Sequence, residues 1–516
     1  MTSEVSLDRI LHLRHIDQAS GIGIDVSGLG FARADFDALT PRCRIAFAEM
    51  SELEAGAIAN PNENRRVGHY WLRTPELAPT QEQHLVTDMR TRVAELARRV
   101  LAAEVFPPRG GRYRHLLLIG IGGSVLGPQL LADALGDPDA GLTFDSFDNT
   151  DPDGMQRLLR QLDLAATLFV VVSKSGSTKE TRNGMSEARA ACTRAGIDFT
   201  RQAIAITGAD SELDGLAKTE NWIARLPMED WVGGRTSVTS AVGLFPAALL
   251  GIDIDAFMAG ARAMDESTRR DELWNNPAAL LAAAWLLTGD GVGTRHMVVL
   301  PYRDRLQLFA RYLQQLVMES LGKELDRQDN QVFQGLTVLG NKGSTDQHAY
   351  VQQLRDGRDD FFACFIRVLH DGDLTAVEVE PGVTSADYLQ GFLIGTRRAL
   401  SERKRPNMTI TLPRIDAQVI GALIALFERA VGLYASLIDI NAYHQPGVEA
   451  GKRAATKALE LRARILDALA SETTSVGDLA AKLEADAETC LLLLEHLAAN
   501  TKRTGVVADG GGYRRK

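Results

Sequence analysis

His115-Leu116-Leu117-Leu118-Ile119-Gly120-Ile121-Gly122-Gly123-Ser124 runs from an apolar stretch straight into a glycine turn. A short run without polar alternation predicts a strand buried on both faces, as in a parallel sheet covered by helices. The texture returns at residues 142–147, 168–172 and 203–207, with helical patterns such as 179–195 between them. Near residue 290 the rhythm restarts. Residues 297–300, 336–340 and 362–369 read as strands, 304–326 and 419–439 as long helices. Two successive α/β units of similar size are expected.

With 516 residues, two to four domains are expected at about 150 residues each. Residues 1–100 read as a helical N-terminal segment, with an amphipathic stretch at 82–100. Residues 101–289 and 290–455 form the two α/β domains, and 456–516 a separable tail. Helical patterns at 461–470, 476–484 and 487–499 precede a glycine-turned hairpin around Asp509-Gly510-Gly511-Gly512, which resembles a winged-helix module. From Leu461 onward 8 basic residues face 8 acidic ones, so DNA binding is not favoured over a packing or oligomerisation role.

Composition narrows the function classes. Hydrophobic residues are 45% and charged ones 24%, as in a globular protein. A net charge of −10 argues against nucleic-acid or anionic-membrane partners. The best apolar run, 278–287, is about half of the roughly 20 residues that a membrane span needs. Met1-Thr2-Ser3-Glu4 has no basic start and no apolar core of a secretion signal. Cys43, Cys192, Cys364 and Cys490 are dispersed with no CxxC pair, which suits a reducing cytoplasm.

The glycine turns carry the candidate chemistry. After the first strand, the dinucleotide fingerprint fails because its third glycine would fall on Val125, and no Gly-Lys-Ser/Thr of a P-loop follows. The turn still lets backbone amides face an anion, or it is simply a tight strand-to-helix turn. Ser173-Lys174-Ser175-Gly176-Ser177-Thr178 follows the strand at 168–172 and opens a helix. Its hydroxyls, lysine and helix N-terminus suit a phosphomonoester; a serine-rich cap is the plainer alternative. Gly233-Gly234-Arg235-Thr236-Ser237 brings an arginine to a close backbone approach, where it could stabilise an oxyanion. Gln315 and Glu319, four apart, share a helix face outside the apolar stripe; that face is either solvated or holds a carboxylate base. His348 in Gly343-Ser344-Thr345-Asp346-Gln347-His348, and Lys452 after Tyr443-His444-Gln445-Pro446-Gly447-Val448-Glu449-Ala450-Gly451, read alone as structural or surface residues. No histidine pair has HxH or HExxH spacing, so no zinc site is expected.

Taken together, these motifs resemble the phosphoglucose isomerase family over residues 55–456. The resemblance is carried by 120–124, 173–178, 233–237, QLVMESLGK at 315–323, GNKGSTDQH at 340–348, and 443–452. It implies two flavodoxin-like sugar-isomerase (SIS) α/β domains and interconversion of glucose 6-phosphate and fructose 6-phosphate through an enediolate. By position, Ser173, Lys174, Ser175 and Thr178 would hold the phosphate, with Gly123, Ser124 and Gly234 nearby and Gln315 beside the sugar. Glu319 matches the base, Arg235 the enediolate-stabilising cation, His348 and Lys452 the ring-opening pair. The resemblance also implies a homodimer, with His348 reaching the site from the neighbouring subunit, and no cofactor or metal. Thr236 stands where many members carry an aromatic residue. Two other readings stay open: a non-catalytic SIS-type sugar-phosphate sensor, suggested by the tail, and added activity on mannose 6-phosphate.

Overall fold

Strand His115–Ile119 lies second in a five-stranded sheet ordered Thr143–Phe147, His115–Ile119, Thr167–Val172, Ala203–Thr207, Ala224–Pro227. Every pairing is parallel. The computed structural model describes residues 6–372 and 375–516, leaving aside the side chains of residues 448–450 and 452. Both faces of the sheet are buried, as the unbroken apolar runs predict. Leu116, Leu118, Val170 and Ile204 join one core cluster, while Leu117, Ile119, Phe169 and Ala205 join another. The chain leaves His115–Ile119 toward one edge, then returns past it to build the other. The crevice where such a sheet changes winding direction lies beyond the carboxyl ends of His115–Ile119 and Thr167–Val172, where ligands bind in doubly wound folds.

A second sheet has six strands in the order Arg14–Ile16, Gly23–Asp25, Asn407–Leu412, Phe361–Val368, His296–Pro301, Val338–Gly340. Its four later strands pair in parallel. The first two form an antiparallel hairpin whose Ile24 registers with Ile410. The N-terminal segment is therefore not purely helical. Its expected helix at 82–100 is Thr80–Leu101, but the strands near its start were read over because each is only three residues long.

One expected helix needs correction. The helix expected at 304–326 is a short turn at Asp304–Leu306, an α-helix at Phe309–Leu313 and a π-helical turn at Gln314–Glu319; Lys323–Leu325 is already a strand. Gly322 provides the break: a Cβ there would stand 2.8 Å from the Met318 carbonyl oxygen. The helix expected at 419–439 spans Ala417–Leu437 and, although Glu428 and Arg429 interrupt it, is long and apolar enough by composition to cross a membrane, which the reading of uninterrupted runs did not show. Of its most apolar window, 94% is buried inside the fold, which makes it a core helix.

Residues up to His444 form one compact unit and Gln445–Lys516 a second. Helix Pro446–Ala468 spans residues 455 and 456, and the second compact unit begins at Gln445. The second unit adds helices Val476–Lys482 and Ala487–Ala499 and the hairpin Val506–Asp509/Gly512–Arg515. Its own core includes Leu461, Ile465, Leu479, Leu494, Leu497 and Val506.

Candidate active site

Helix Gly123–Leu135 starts earlier than its proline suggests, with Pro128 inside it, so Gly123 and Ser124 occupy its first turn. Gly122, at φ 59°, turns the chain from strand to helix, a conformation that glycine adopts without strain. A Cβ on Gly123 would stand 1.9 Å from the Gly234 carbonyl oxygen, so the glycine lets the loop at 233–237 close onto this helix end. Ser237 Oγ fastens the junction, donating to the carbonyls of Gly234 at 2.8 Å and Gly123 at 3.2 Å. A Cβ on Gly122 would meet Gln315 Nε2 at 3.0 Å, which puts Gln315 against the same turn. Gly122, Asp148, Arg311, Gln314 and Gln315 line a cavity of about 220 Å³ there.

Arg235 is buried, and its guanidinium reaches in several directions. Nε donates to Ser320 Oγ at 2.7 Å, and Nη2 donates to the carbonyls of Ala442 and, at 3.3 Å, His444. Nη1 lies 3.3 Å from Glu319 Oε2, whose side chain is 19% exposed. That oxygen is buried yet makes no aligned hydrogen bond among the described residues, so the contact is an ion pair with acceptor capacity to spare. Burial pulls Arg235 below its ordinary pKa, and the Glu319 charge opposes the shift. Glu319 closes the π-helical turn, a distortion found often at functional sites.

Beyond the adjacent strand, the loop at 173–178 is internally bonded. Ser173 Oγ donates to Thr178 Oγ1 at 3.0 Å and accepts from Gly176 N at 3.1 Å, while Ser175 and Ser177 hydroxyls meet at 2.9 Å. Thr178 begins helix Lys179–Arg194 without a side-chain cap, and Gly122 likewise precedes helix Gly123–Leu135 uncapped. Two helix N-termini thus present amides at neighbouring strand ends, an arrangement that attracts anions. Lys174 Nζ donates to the carbonyls of Asp230 at 2.7 Å and Val232 at 3.1 Å, tying this loop to the segment that leads into Arg235. Burial lowers the Lys174 pKa, with Asp230 opposing.

Gly123, Ser124, Gly234, Arg235, Gln315 and Glu319 are therefore gathered at one place, and Ser173, Lys174, Ser175 and Thr178 at the next strand end. His348 is not gathered with them. It is exposed at the end of the turn Thr345–His348, and among the described residues no hydrogen bond or ion pair joins it to Glu319 or to the loop at 173–178. Lys452 falls in helix Pro446–Ala468, with its side chain outside the described residues. Sequence reasoning passed over Ser237, Ser320 and Lys323. The last two stand inside QLVMESLGK, and the Gly322 break four residues before the end of that helix reading was the available signal.

Fold and site define the class: a parallel α/β protein with a hydroxyl-rich loop at the switch point of one sheet and a carboxylate–guanidinium pair beside it. The chain belongs to the phosphoglucose isomerase family, whose model matches residues 34–475. It is 54% identical over 515 residues to a glucose-6-phosphate isomerase of Synechococcus elongatus, covering 99% of this chain and 98% of that one. To a protein of the same name from Geobacter sulfurreducens it is 56% identical over 501 residues, covering 96% and 94%. The crystal structure of a glucose-6-phosphate isomerase from Chlamydia trachomatis superposes with a TM-score of 0.81 at 25% identity, covering 89% of this chain and 92% of that chain.

Proposed function

We propose that this chain interconverts glucose 6-phosphate and fructose 6-phosphate through a cis-enediolate, with Glu319 moving the proton between C2 and C1. The observation that carries the reading is the Glu319–Arg235 pair at 3.3 Å. Isomerisation needs a base on one face of the enediol and a cation near its oxygens, and this pair supplies both. The names of the Synechococcus and Geobacter relatives support the substrate. Ser173, Lys174, Ser175 and Thr178 hold the phosphate, with amides of Gly123, Ser124 and Gly234 close by. Gln315 contacts the sugar.

Ring opening is assigned to His348 and Lys452, His348 coming from the partner subunit of a homodimer. Two features support that assembly. His348 is exposed, and its neighbour Gln347 Nε2 donates to the Phe392 carbonyl at 3.1 Å on helix Ser385–Glu402. That helix exposes Tyr388 and Phe392, four residues apart on one face, an apolar patch suited to a second copy. The dispersed, buried, free cysteines support a cytoplasmic setting. The tail is read as a winged-helix-like appendage whose 8 basic residues from Leu461 onward are balanced by 8 acidic ones.

A coupled assay offering glucose 6-phosphate and mannose 6-phosphate side by side tests the reaction and its breadth. Glu319→Gln is expected to lower kcat by about 10²- to 10⁴-fold with the fold intact, the range for a removed general base. A Glu319→Gln enzyme with near-normal turnover would sink the assignment.

A further inference from the structure

Lys323 is 5% exposed and has no carboxylate partner in contact with its ammonium among the described residues. A buried lysine normally needs a strong reason to stay, because desolvating an ammonium is costly. Here the reason is geometric. After Gly322 breaks the helix, the Lys323 side chain folds back, and Nζ donates to the carbonyl oxygens of Glu319 at 2.7 Å and Ser320 at 2.8 Å. These carbonyls end the helix, where a cation complements both the unpaired acceptors and the helix dipole. They also belong to the two residues that Arg235 touches: the Glu319 carboxylate through Nη1 and the Ser320 hydroxyl through Nε.

We infer that Lys323 is a positioning residue, clamping the backbone of Glu319 and Ser320 so that base and arginine stay in register during proton transfer. This inference rests on the reading of Glu319 as the base. Three charged or titratable groups act on the ammonium: Arg235 and Glu319, and His444 from the segment that also bonds Arg235. Burial, then Arg235, pushes the Lys323 pKa down to about 7, with Glu319 opposing. The clamp is thus strongest below neutrality. As the proton leaves, the amine keeps its hydrogen bonds but loses its charge against the helix end.

The test is steady-state kinetics of Lys323→Met and Lys323→Arg across pH, beside Glu319→Gln. Lys323→Met is expected to lower kcat per folded enzyme roughly 10- to 100-fold, because misplacing a reacting group by about 1 Å costs on the order of 100-fold. KM should stay within about threefold, since the phosphate loop is untouched. Lys323→Arg keeps a permanent charge; it should retain more activity than Lys323→Met and lose the wild-type alkaline decline near neutrality. Wild-type kcat and an unchanged pH profile in Lys323→Met would overturn the inference. If Lys323→Met does not fold, Lys323→Arg with the wild-type pH profile overturns it equally. Near-normal turnover by Glu319→Gln would instead topple the reading of the base, a result separable from either.

Discussion

A Cβ on Gly123 would press into backbone rather than into the end of a movable side chain, with the Gly234 carbonyl oxygen at 1.9 Å and the Arg235 nitrogen at 2.8 Å. Gly123→Ala should therefore displace the loop that carries Arg235. Overpacking of this kind costs about 1–3 kcal/mol, readable by urea denaturation. The activity loss should exceed what the remaining folded fraction explains, and a fully active, equally stable Gly123→Ala protein would refute the close approach. At this scale the sequence was legible where the chemistry is local. Ser173–Thr178 stood out because hydroxyls and a glycine follow an apolar run and open a helix, although a serine-rich cap would read the same way. Glu319 did not, since its meaning depends on Arg235, far away in the chain, and a lone glutamate outside a helix's apolar stripe looks the same when merely solvated.

Elements were legible when long and uniform. Strands His115–Ile119, Thr167–Val172 and Ala203–Thr207 match their apolar runs within a residue or so. Asn407–Leu412 was missed, although Met408, Ile410 and Leu412 alternate with polar residues and it lies between Gly23–Asp25 and Phe361–Val368. The alternation is unusual for a strand buried on both faces; Thr409 and Thr411 are covered nonetheless. The π-helical turn carrying Gln315 and Glu319 was invisible because its residues keep helical composition. The N-terminal hairpin supplies a test at this scale. Ile24 is fully buried and registers with Ile410, so Ile24→Ala should cost about 2–5 kcal/mol in chemical denaturation. A negligible loss would make the hairpin an ornament on the sheet rather than part of it.

Across the larger unit, helix Ala417–Leu437 contributes two charges to the interior. Arg73 pairs with Asp265 at 2.7 Å and with Glu428; Arg429 pairs with Asp265 at 2.9 Å and with Glu54. These contacts join the N-terminal segment, helix Ile254–Ser267 and helix Ala417–Leu437, and no local pattern reveals them. Burial pushes the Glu428 carboxyl from an ordinary 4.5 up to about 7, although Arg73 opposes this. A carboxyl raised by folding stabilises the native state below its unfolded pKa, and that contribution is lost as pH rises through the folded value. The stability of the wild type relative to Glu428→Gln should therefore fall between pH 4.5 and about 7. Paired thermal melts across that window check it, and a difference that is flat or rises would contradict it. The isomerisation turns on one proton. Glucose 6-phosphate incubated with the protein in D₂O and followed by NMR should yield fructose 6-phosphate with solvent deuterium entering at the carbons that exchange the proton, and Glu319→Gln should suppress both. No product from the wild-type protein, or undiminished exchange in Glu319→Gln, would contradict the account.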